Sequence, residues 1–182
     1  MADYRIPDFP LDTTPSFINL NILPPNTPNT STSRESSSGG GNPDYEKKAR
    51  RQKKLGDRGE KIVLGLEKKR LTDAGRKDLA KKIERVSLKS DSLGYDILSF
   101  EIDETKRFIE VKATISKVGS ANFFYTANEL KTAQENENYF IYMVYDVASK
   151  APKVWAINNP FNPENGNAVK TPINYRVTIN TE

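Results

Sequence analysis

The chain has 182 residues, a formal net charge of +4, and neither cysteine nor histidine. The missing cysteine excludes disulfides and thiolate chemistry, and the missing histidine means that a bound metal must have oxygen ligands, which favours magnesium, manganese or calcium over zinc. No stretch approaches the roughly 20 apolar residues that cross a bilayer and the N-terminus does not resemble a signal peptide, so we expect a soluble, cytoplasmic protein without a membrane partner.

Residues 1–44 differ in composition from the rest of the chain. Residues 23–43 are rich in Pro, Asn, Thr, Ser and Gly, and such a segment cannot bury enough apolar surface to order itself. We therefore predict a flexible, disordered tail over residues 1–44 and one domain over residues 45–182. Residues 1–22 carry several large apolar side chains, which fits a segment that docks on its own domain or on another protein, or else a frayed terminus.

A long helix is predicted from residue 45 to residue 71, because this range lacks proline and has apolar residues at helical spacing. Its first half is strongly basic. A run of one charge sign suits a solvated helix face, and it also suits contact with the phosphates of a nucleic acid. The predicted nucleic-acid-binding residues are Lys47, Lys48, Arg50, Arg51, Lys53, Lys54 and Arg58.

Three further residues of this helix need an explanation, namely Gly56, Gly59 and Glu60. Glycine costs about 1 kcal/mol inside a helix, so the pair indicates either a break after Leu55 or the close approach of another backbone. Glu60 lies beside the apolar side of the helix, where a buried carboxylate needs a cation or a metal. The alternative is a surface glutamate that contacts a residue one turn away.

Residues 94–100 and 107–113 are apolar at alternate positions, and a polar turn over residues 102–106 joins them. This pattern predicts a β-hairpin. Side chains alternate in direction along a strand, so Glu110 and Lys112 share one face. The other face carries Ile109, Val111 and Ala113.

Two carboxylates and an ammonium converge if the first strand of the hairpin brings Asp96 to the edge that carries Glu110 and Lys112. Burying a charge without a partner costs several kcal/mol, so a fold that gathers such charges usually needs them. The alternative is a salt-bridged cluster on an exposed sheet edge, because structural ion pairs are common.

The rest of the chain predicts the following elements: a short helix or loop at 72–81, a turn at 91–94, strands at 83–88, 139–147, 153–157 and 175–179, and a helix at 127–137 with a capping box of Thr126 and Glu129. The strand at 139–147 is apolar on both faces, which is typical of a central strand with its tyrosines in the core. Strands bracketed by helices indicate an α/β or α+β fold in which helices flank a central mixed sheet.

Four motifs of the chain resemble a known group of proteins: Gly56-x-x-Gly59-Glu60, Gly94-Tyr95-Asp96-Ile97, Ile109-Glu110-Val111-Lys112-Ala113-Thr114 and Thr126-x-Asn128-Glu129-Leu130. Over about residues 50–147 the chain resembles the restriction-endonuclease-like PD-(D/E)xK superfamily. It is most similar to the family of domains like the C-terminal domain of protein NO VEIN, which often stand beside helicases or ATPases in defence-type proteins. The chain departs from the superfamily pattern because Tyr95 stands where the name of the superfamily has proline.

The resemblance implies a restriction-endonuclease-like core and a divalent-metal-dependent nuclease that hydrolyses DNA phosphodiester bonds with Mg²⁺ or Mn²⁺. Asp96 and Glu110 would be the metal ligands, together with the backbone carbonyl of Val111. Lys112 would orient or deprotonate the attacking water. Glu60 would complete the catalytic set from the first helix.

The resemblance also implies partners. The chain would be the cutting module of an antiviral defence or repair assembly, and its N-terminal segment would bind an ATPase-type or helicase-type subunit. A homodimer is compatible with this role, because cutting a duplex needs two active centres or two successive nicks. Two other functions fit the sequence: a catalytically inactive module of the same fold that binds nucleic acid or a protein partner, and an interaction subunit that is recruited through residues 1–22.

Overall fold

Three helices and six strands form the fold in a computed structural model that describes residues 15–19, 45–90, 92–119, 123–162 and 170–171. The helices are α1 (Tyr45–Asp73), α2 (Lys77–Ala80) and α3 (Ala127–Glu135). The strands are β1 (Ser16–Phe17), β2 (Glu84–Arg85), β3 (Ile97–Phe100), β4 (Lys106–Ala113), β5 (Tyr139–Tyr145) and β6 (Lys153–Asn158). A single 3-10 turn, Val86–Leu88, follows β2.

The six strands form one mixed sheet with the order β1-β6-β5-β4-β3-β2. Strands β4 and β5 are parallel, as are β1 and β6, and the other neighbours are antiparallel. A parallel pair needs a crossover connection, and α3 supplies it between β4 and β5. The predicted α+β fold with a central mixed sheet flanked by helices is therefore confirmed.

Two apolar cores cover the two faces of the sheet. On one face, residues of α1 and α2 pack with side chains of β3, β4, β5 and β6, among them Ile109, Val111 and Tyr142. On the other face, Ala133 of α3 packs with Tyr139 and other residues of β5. Because both faces of β5 are buried, the prediction of a central strand with its tyrosines in the core is confirmed.

Helix α1 is continuous through both of its early glycines, so the predicted alternative of a break after Leu55 is wrong. The other alternative, a close backbone approach, is confirmed at Gly59. A Cβ atom at Gly59 would lie 2.8 Å from the Cβ atom of Ala113, so only glycine lets α1 pack this closely on β4. At Gly56 nothing lies within 4 Å of such an atom.

The predicted strand at residues 83–88 is wrong in length, because only Glu84 and Arg85 pair with β3. The N–H groups of both Val86 and Ser87 donate to the carbonyl of Asp96, at 2.8 and 3.2 Å, which ends the ladder and turns the chain. The predicted hairpin over β3 and β4, the strand at β6 and the capped helix are confirmed, although α3 ends at Glu135. The predicted strand at 175–179 lies outside the described residues.

A short piece of the predicted N-terminal tail lies on the sheet. Strand β1 pairs in parallel with β6, and the N–H of Ile18 donates to the carbonyl of Val154 at 2.9 Å. Ile18 also joins the core on the α3 face. This agrees with a segment that docks on its own domain, while the rest of residues 1–44 lies outside the described residues.

None of the helices in the described ranges combines the length and the apolar character that crossing a lipid bilayer requires.

Candidate active site

The β3–β4 hairpin brings the three predicted charged residues together. Ile109 and Val111 of β4 face α1, whereas Glu110 and Lys112 face α3, as the alternation of side chains predicted. Asp96 immediately precedes β3, and its backbone N–H donates to the carbonyl of Ile109 at 2.9 Å. The start of β3 is thus fixed beside the middle of β4.

The carboxylate of Asp96 bonds directly to the backbone of β4. Its Oδ2 accepts a hydrogen bond of 2.8 Å from the N–H of Val111, which places it between the positions of Glu110 and Lys112. Burial is the main cause that raises the pKa of Asp96 to about 6. The hydrogen bond from Val111 opposes this rise, and the nearby charge of Glu60 adds to it.

The turn before Asp96 requires a glycine. Gly94 has a φ of +73°, and a Cβ atom there would overlap the hydroxyl of Thr132 on α3. The carbonyl of Gly94 accepts a hydrogen bond of 2.9 Å from the hydroxyl of Tyr139. The segment that leads to Asp96 is therefore held by both α3 and β5.

Glu110 is buried, with 4 % of its surface exposed, and its Oε1 lies 2.7 Å from Nζ of Lys112. Burial and the neighbouring charge of Asp96 raise the pKa of Glu110 well above its ordinary value of 4.5. Burial by itself would lower the pKa of Lys112, but the charges and hydrogen bonds of Glu110 and Glu129 together outweigh it and the pKa is raised. Lys112 is therefore held as an ammonium beside two acidic groups.

Glu60 lies near this cluster but has its own cation. Its Oε2 accepts a hydrogen bond of 2.6 Å from Nε of Arg85 and another from the hydroxyl of Ser87. Arg85 also bonds to Asp57, one turn earlier on α1, at 2.6 Å. The cation that we predicted beside Glu60 is thus an arginine of β2.

A cavity of about 570 Å³ opens between α1 and the segment that follows β2. Asp96 and Glu60 lie in its wall, together with Lys53 and Lys89. Gly56 also lines the cavity, so a side chain at this position would project into open space. The cavity gives a ligand access to Asp96 from the side of α1.

The predicted basic residues of α1 separate into two groups. Most are exposed or half-buried: Lys47, Lys48, Arg50, Arg51, Lys53 and Lys54. Arg58 is instead buried, and its guanidinium donates to the carbonyls of Val147 and Ser149 at 2.6 and 3.2 Å. Its prediction as a nucleic-acid-binding residue is corrected, because these bonds anchor α1 to the connection between β5 and β6.

Two residues of the structure were not predicted as partners of this site. Glu129, which was predicted as a helix cap and stands in one of the family-like motifs without a role in the site, lies 3.2 Å from Nζ of Lys112, and the ring of Tyr125 lies 5.0 Å from the same atom. The capping box was the signal in the sequence that could have indicated this contact, because it puts Glu129 in the first turn of a helix that follows β4.

The two carboxylates of Asp96 and Glu110 fit a divalent cation by their chemistry. Mg²⁺ in proteins is held by one or two carboxylates, with water completing the coordination. Asp96 and Glu110 supply two neighbouring carboxylates, and burial is the largest cause that raises the pKa of each. Among the described residues no group of three acidic side chains is placed to share one ion, so the site would offer two carboxylates.

Residues 59–157 match the family described as Protein NO VEIN, C-terminal, and this range is more than half of the 182 residues. It includes Glu60, Asp96, Glu110, Lys112 and Glu129 but begins after the basic first half of α1. No curated protein and no solved structure gives a match. The chain therefore belongs to the family of the protein NO VEIN C-terminal domain.

Proposed function

We propose that this protein is a divalent-metal-dependent nuclease that hydrolyses DNA phosphodiester bonds. One observation carries the proposal: Asp96, Glu110 and Lys112 meet at one place, where two adjacent carboxyl groups have raised pKa values. Two acidic groups that repel each other are costly in a structural cluster. A divalent cation relieves that repulsion, which is why we favour a catalytic site.

The residues that would hold Mg²⁺ or Mn²⁺ are Asp96, Glu110 and the backbone carbonyl of Val111. When bound, the ion would neutralise a non-bridging phosphate oxygen and make water a better nucleophile. The N–H of Val111 fixes the carboxylate of Asp96, so this ligand is already in place before any ion arrives.

Lys112 would orient the attacking water and add positive charge beside the phosphate in the transition state. Its pKa is raised, so it is an ammonium that donates hydrogen bonds. This supports an orienting role over a role as the base that takes the proton from water. Glu60, paired with Arg85, would shape the wall of the cavity next to Asp96.

The exposed lysines and arginines in the first half of α1 would contact the phosphates of DNA on either side of the cleaved bond. Lys53 connects the two regions, because it belongs to this basic run and also lines the cavity at Asp96. We further propose that the protein acts in the cytoplasm as the cutting module of an antiviral defence or repair assembly, with an ATPase-type or helicase-type subunit bound through its N-terminal segment.

Cleavage of DNA by the purified full-length chain tests the proposal. With Mg²⁺ or Mn²⁺ the wild type should cleave, and Asp96→Asn should lose about two orders of magnitude of activity or more, because one metal ligand is lost. Asparagine keeps an oxygen that accepts the bond from Val111, so the melting temperature should change little. Glu135→Gln, an exposed carboxylate on α3, is the matched control and should cleave like the wild type.

Absence of cleavage by the wild type with either metal on varied DNA would count against the nuclease. So would an Asp96→Asn variant that cleaves normally.

A second candidate function is binding of nucleic acid without cleavage. The exposed basic residues of α1 favour it, because they need neither carboxylate nor metal to contact phosphates. Binding that persists in a chelator, weakens steeply with salt and is unchanged by Asp96→Asn, in a chain that never cleaves, would support this alternative.

A further inference from the structure

Glu129, in the first turn of α3, contacts Lys112 although 17 positions separate them in the chain. Its Oε2 lies 3.2 Å from Nζ of Lys112, whose other carboxylate partner is Glu110 at 2.7 Å. The side chains of Lys112 and Glu129 are only 16 % and 18 % exposed, so solvent screens this pair weakly. The ammonium is therefore held by two carboxylates from two different elements.

The carboxylate of Glu129 is itself fixed in place. The same Oε2 accepts a hydrogen bond of 2.9 Å from the backbone N–H of Thr126, and the N–H of Glu129 donates to the Thr126 hydroxyl at 3.2 Å. This reciprocal capping box restricts the rotation of the glutamate side chain. The oxygen that meets Lys112 therefore has a position set by the start of the helix.

Helix α3 also holds the segment that leads to Asp96. The side-chain amide of Asn128 donates to the carbonyl of Ser92 at 2.9 Å, and the hydroxyl of Thr132 donates to the carbonyl of Leu93 at 3.2 Å. One helix thus contacts both Lys112 and the approach to Asp96. Its placement sets the geometry between these two parts of the cluster.

We infer that Glu129 is a positioning residue that holds the ammonium of Lys112 in the site, an inference that rests on the proposed nuclease function. Glu110 is assigned both to Lys112 and to the metal. When Glu110 binds the metal, Glu129 is the carboxylate that keeps Lys112 in place. The capping box fixes the side chain of Glu129 independently of the metal ligands.

Two substitutions separate positioning from capping. Glu129→Gln keeps an oxygen that accepts from the N–H of Thr126, so the capping box remains while the charge that faces Lys112 is removed. Thr126→Ala removes the hydroxyl that caps the helix but leaves the carboxylate of Glu129. Glu135→Gln on the exposed side of α3 is the control for a change of charge on the same helix.

For Glu129→Gln we expect kcat to fall about 10-fold to 100-fold with KM for DNA changed less than about twofold, because the residue acts on the reaction through Lys112. Its melting temperature should stay within about 1 °C, whereas Thr126→Ala should lower the melting temperature by about 4 °C and lower kcat less. Glu129→Asp keeps the charge but withdraws it by one methylene, so it should show the same loss of kcat and serves if the glutamine variant is unstable.

A readout that needs no cleavage is the ¹⁵N NMR signal of the Lys112 ammonium in the full-length chain, assigned by its loss in Lys112→Arg. A paired, largely buried ammonium should exchange its protons slowly enough to be seen, and Glu129→Gln should weaken or abolish the signal. If the wild type cleaves no DNA but the signal responds in this way, the nuclease proposal fails and the positioning contact stands.

The inference is overturned if Glu129→Gln leaves both kcat and the ammonium signal unchanged. It is also overturned if the glutamine variant loses activity only in proportion to a drop in melting temperature that matches Thr126→Ala, because Glu129 would then be a helix cap and nothing more.

Discussion

Buried carboxyl groups in this protein differ in their partners, and the partners decide their protonation. Burial alone would raise the pKa of Glu67, which is fully buried, but hydrogen bonds from Arg70, Ser99 and Tyr142 lower it below 4.5. Asp96 and Glu110 both lie near the ammonium of Lys112, which is within hydrogen-bond range of Glu110. The pKa values of both carboxyl groups are raised. Of these two clusters, the second has less compensating positive charge, so it is the one where we expect a ligand.

Glu67→Gln should reduce the free energy of unfolding by about 3 kcal/mol near neutral pH, because Arg70 would lose its buried carboxylate partner. The pKa of Glu67 is lower in the folded than in the unfolded chain, so its contribution is complete above about pH 4.5 and disappears as the pH falls through the folded-state pKa. Urea unfolding at about pH 7 and about pH 3.5 measures both effects.

The difference between the wild type and Glu67→Gln should therefore shrink at the lower pH. Glu137→Gln, at an exposed position, is the control and should unfold like the wild type at both values. A difference that stays constant with pH would show that the ionised form of Glu67 does not stabilise the fold.

Helix α1 changes its role along its length. Its first half is exposed and basic, its middle packs Gly59 against Ala113, and its last turns bury Leu66 and Leu71. Arg58 marks the transition, because it is the first basic residue whose guanidinium is buried against backbone carbonyls. The buried apolar residues of the second half thus anchor the helix, whereas the first half carries exposed basic side chains.

Replacing Lys47, Lys48 and Lys54 with glutamine should weaken DNA binding and lower the slope of log K against log salt by about 0.9 for each phosphate that the variant no longer neutralises. Measuring the affinity in a chelator at several salt concentrations keeps cleavage out of the result. The control replaces Lys61 and Lys68, which are exposed on the second half of the same helix. Equal effects per lysine replaced in the two sets would mean that binding depends on net charge and not on this face.

At the scale of the whole molecule, the sheet has β2 at one edge and β1 at the other. Strand β1 pairs with Lys153 and Val154 at the start of β6, and the ring of Phe17 meets Tyr142 with 5.9 Å between centroids. An uncovered edge strand offers unpaired N–H and C=O groups to other chains. Residues 15–19 therefore protect one side of the sheet as well as packing on it.

Deleting residues 1–22 should lower the melting temperature by about 3–6 °C and promote self-association as the concentration rises, because β6 becomes an edge. Calorimetry and analytical ultracentrifugation measure the two effects. A shorter deletion of residues 1–12 retains β1 and should leave both unchanged. If the longer deletion alters neither property, the pairing of β1 with β6 contributes nothing to the fold in solution.

The sequence by itself determined the elements whose signals are local. Alternating apolar residues predicted β3 and β4, two buried faces predicted β5 as central, and the spacing of Thr126 and Glu129 predicted the cap of α3. These features follow from periodicity and from hydrogen bonds within one turn, which neighbouring residues specify. Strand alternation put Glu110 and Lys112 on one face, whereas their meeting with Asp96 was predicted only on the condition that the first strand of the hairpin brings Asp96 to the same edge.

The tertiary structure alone decided which charges became partners. Arg58 and Lys54 look alike in the sequence, but only Arg58 reaches the carbonyls of Val147 and Ser149, 89 and 91 positions away. Glu67 lies one turn from both Val63 and Leu71, yet Ser99 and Tyr142 had to arrive from β3 and β5 before its charge could be buried. Such contacts depend on how helices and strands pack, and no local pattern encodes the distance between two elements.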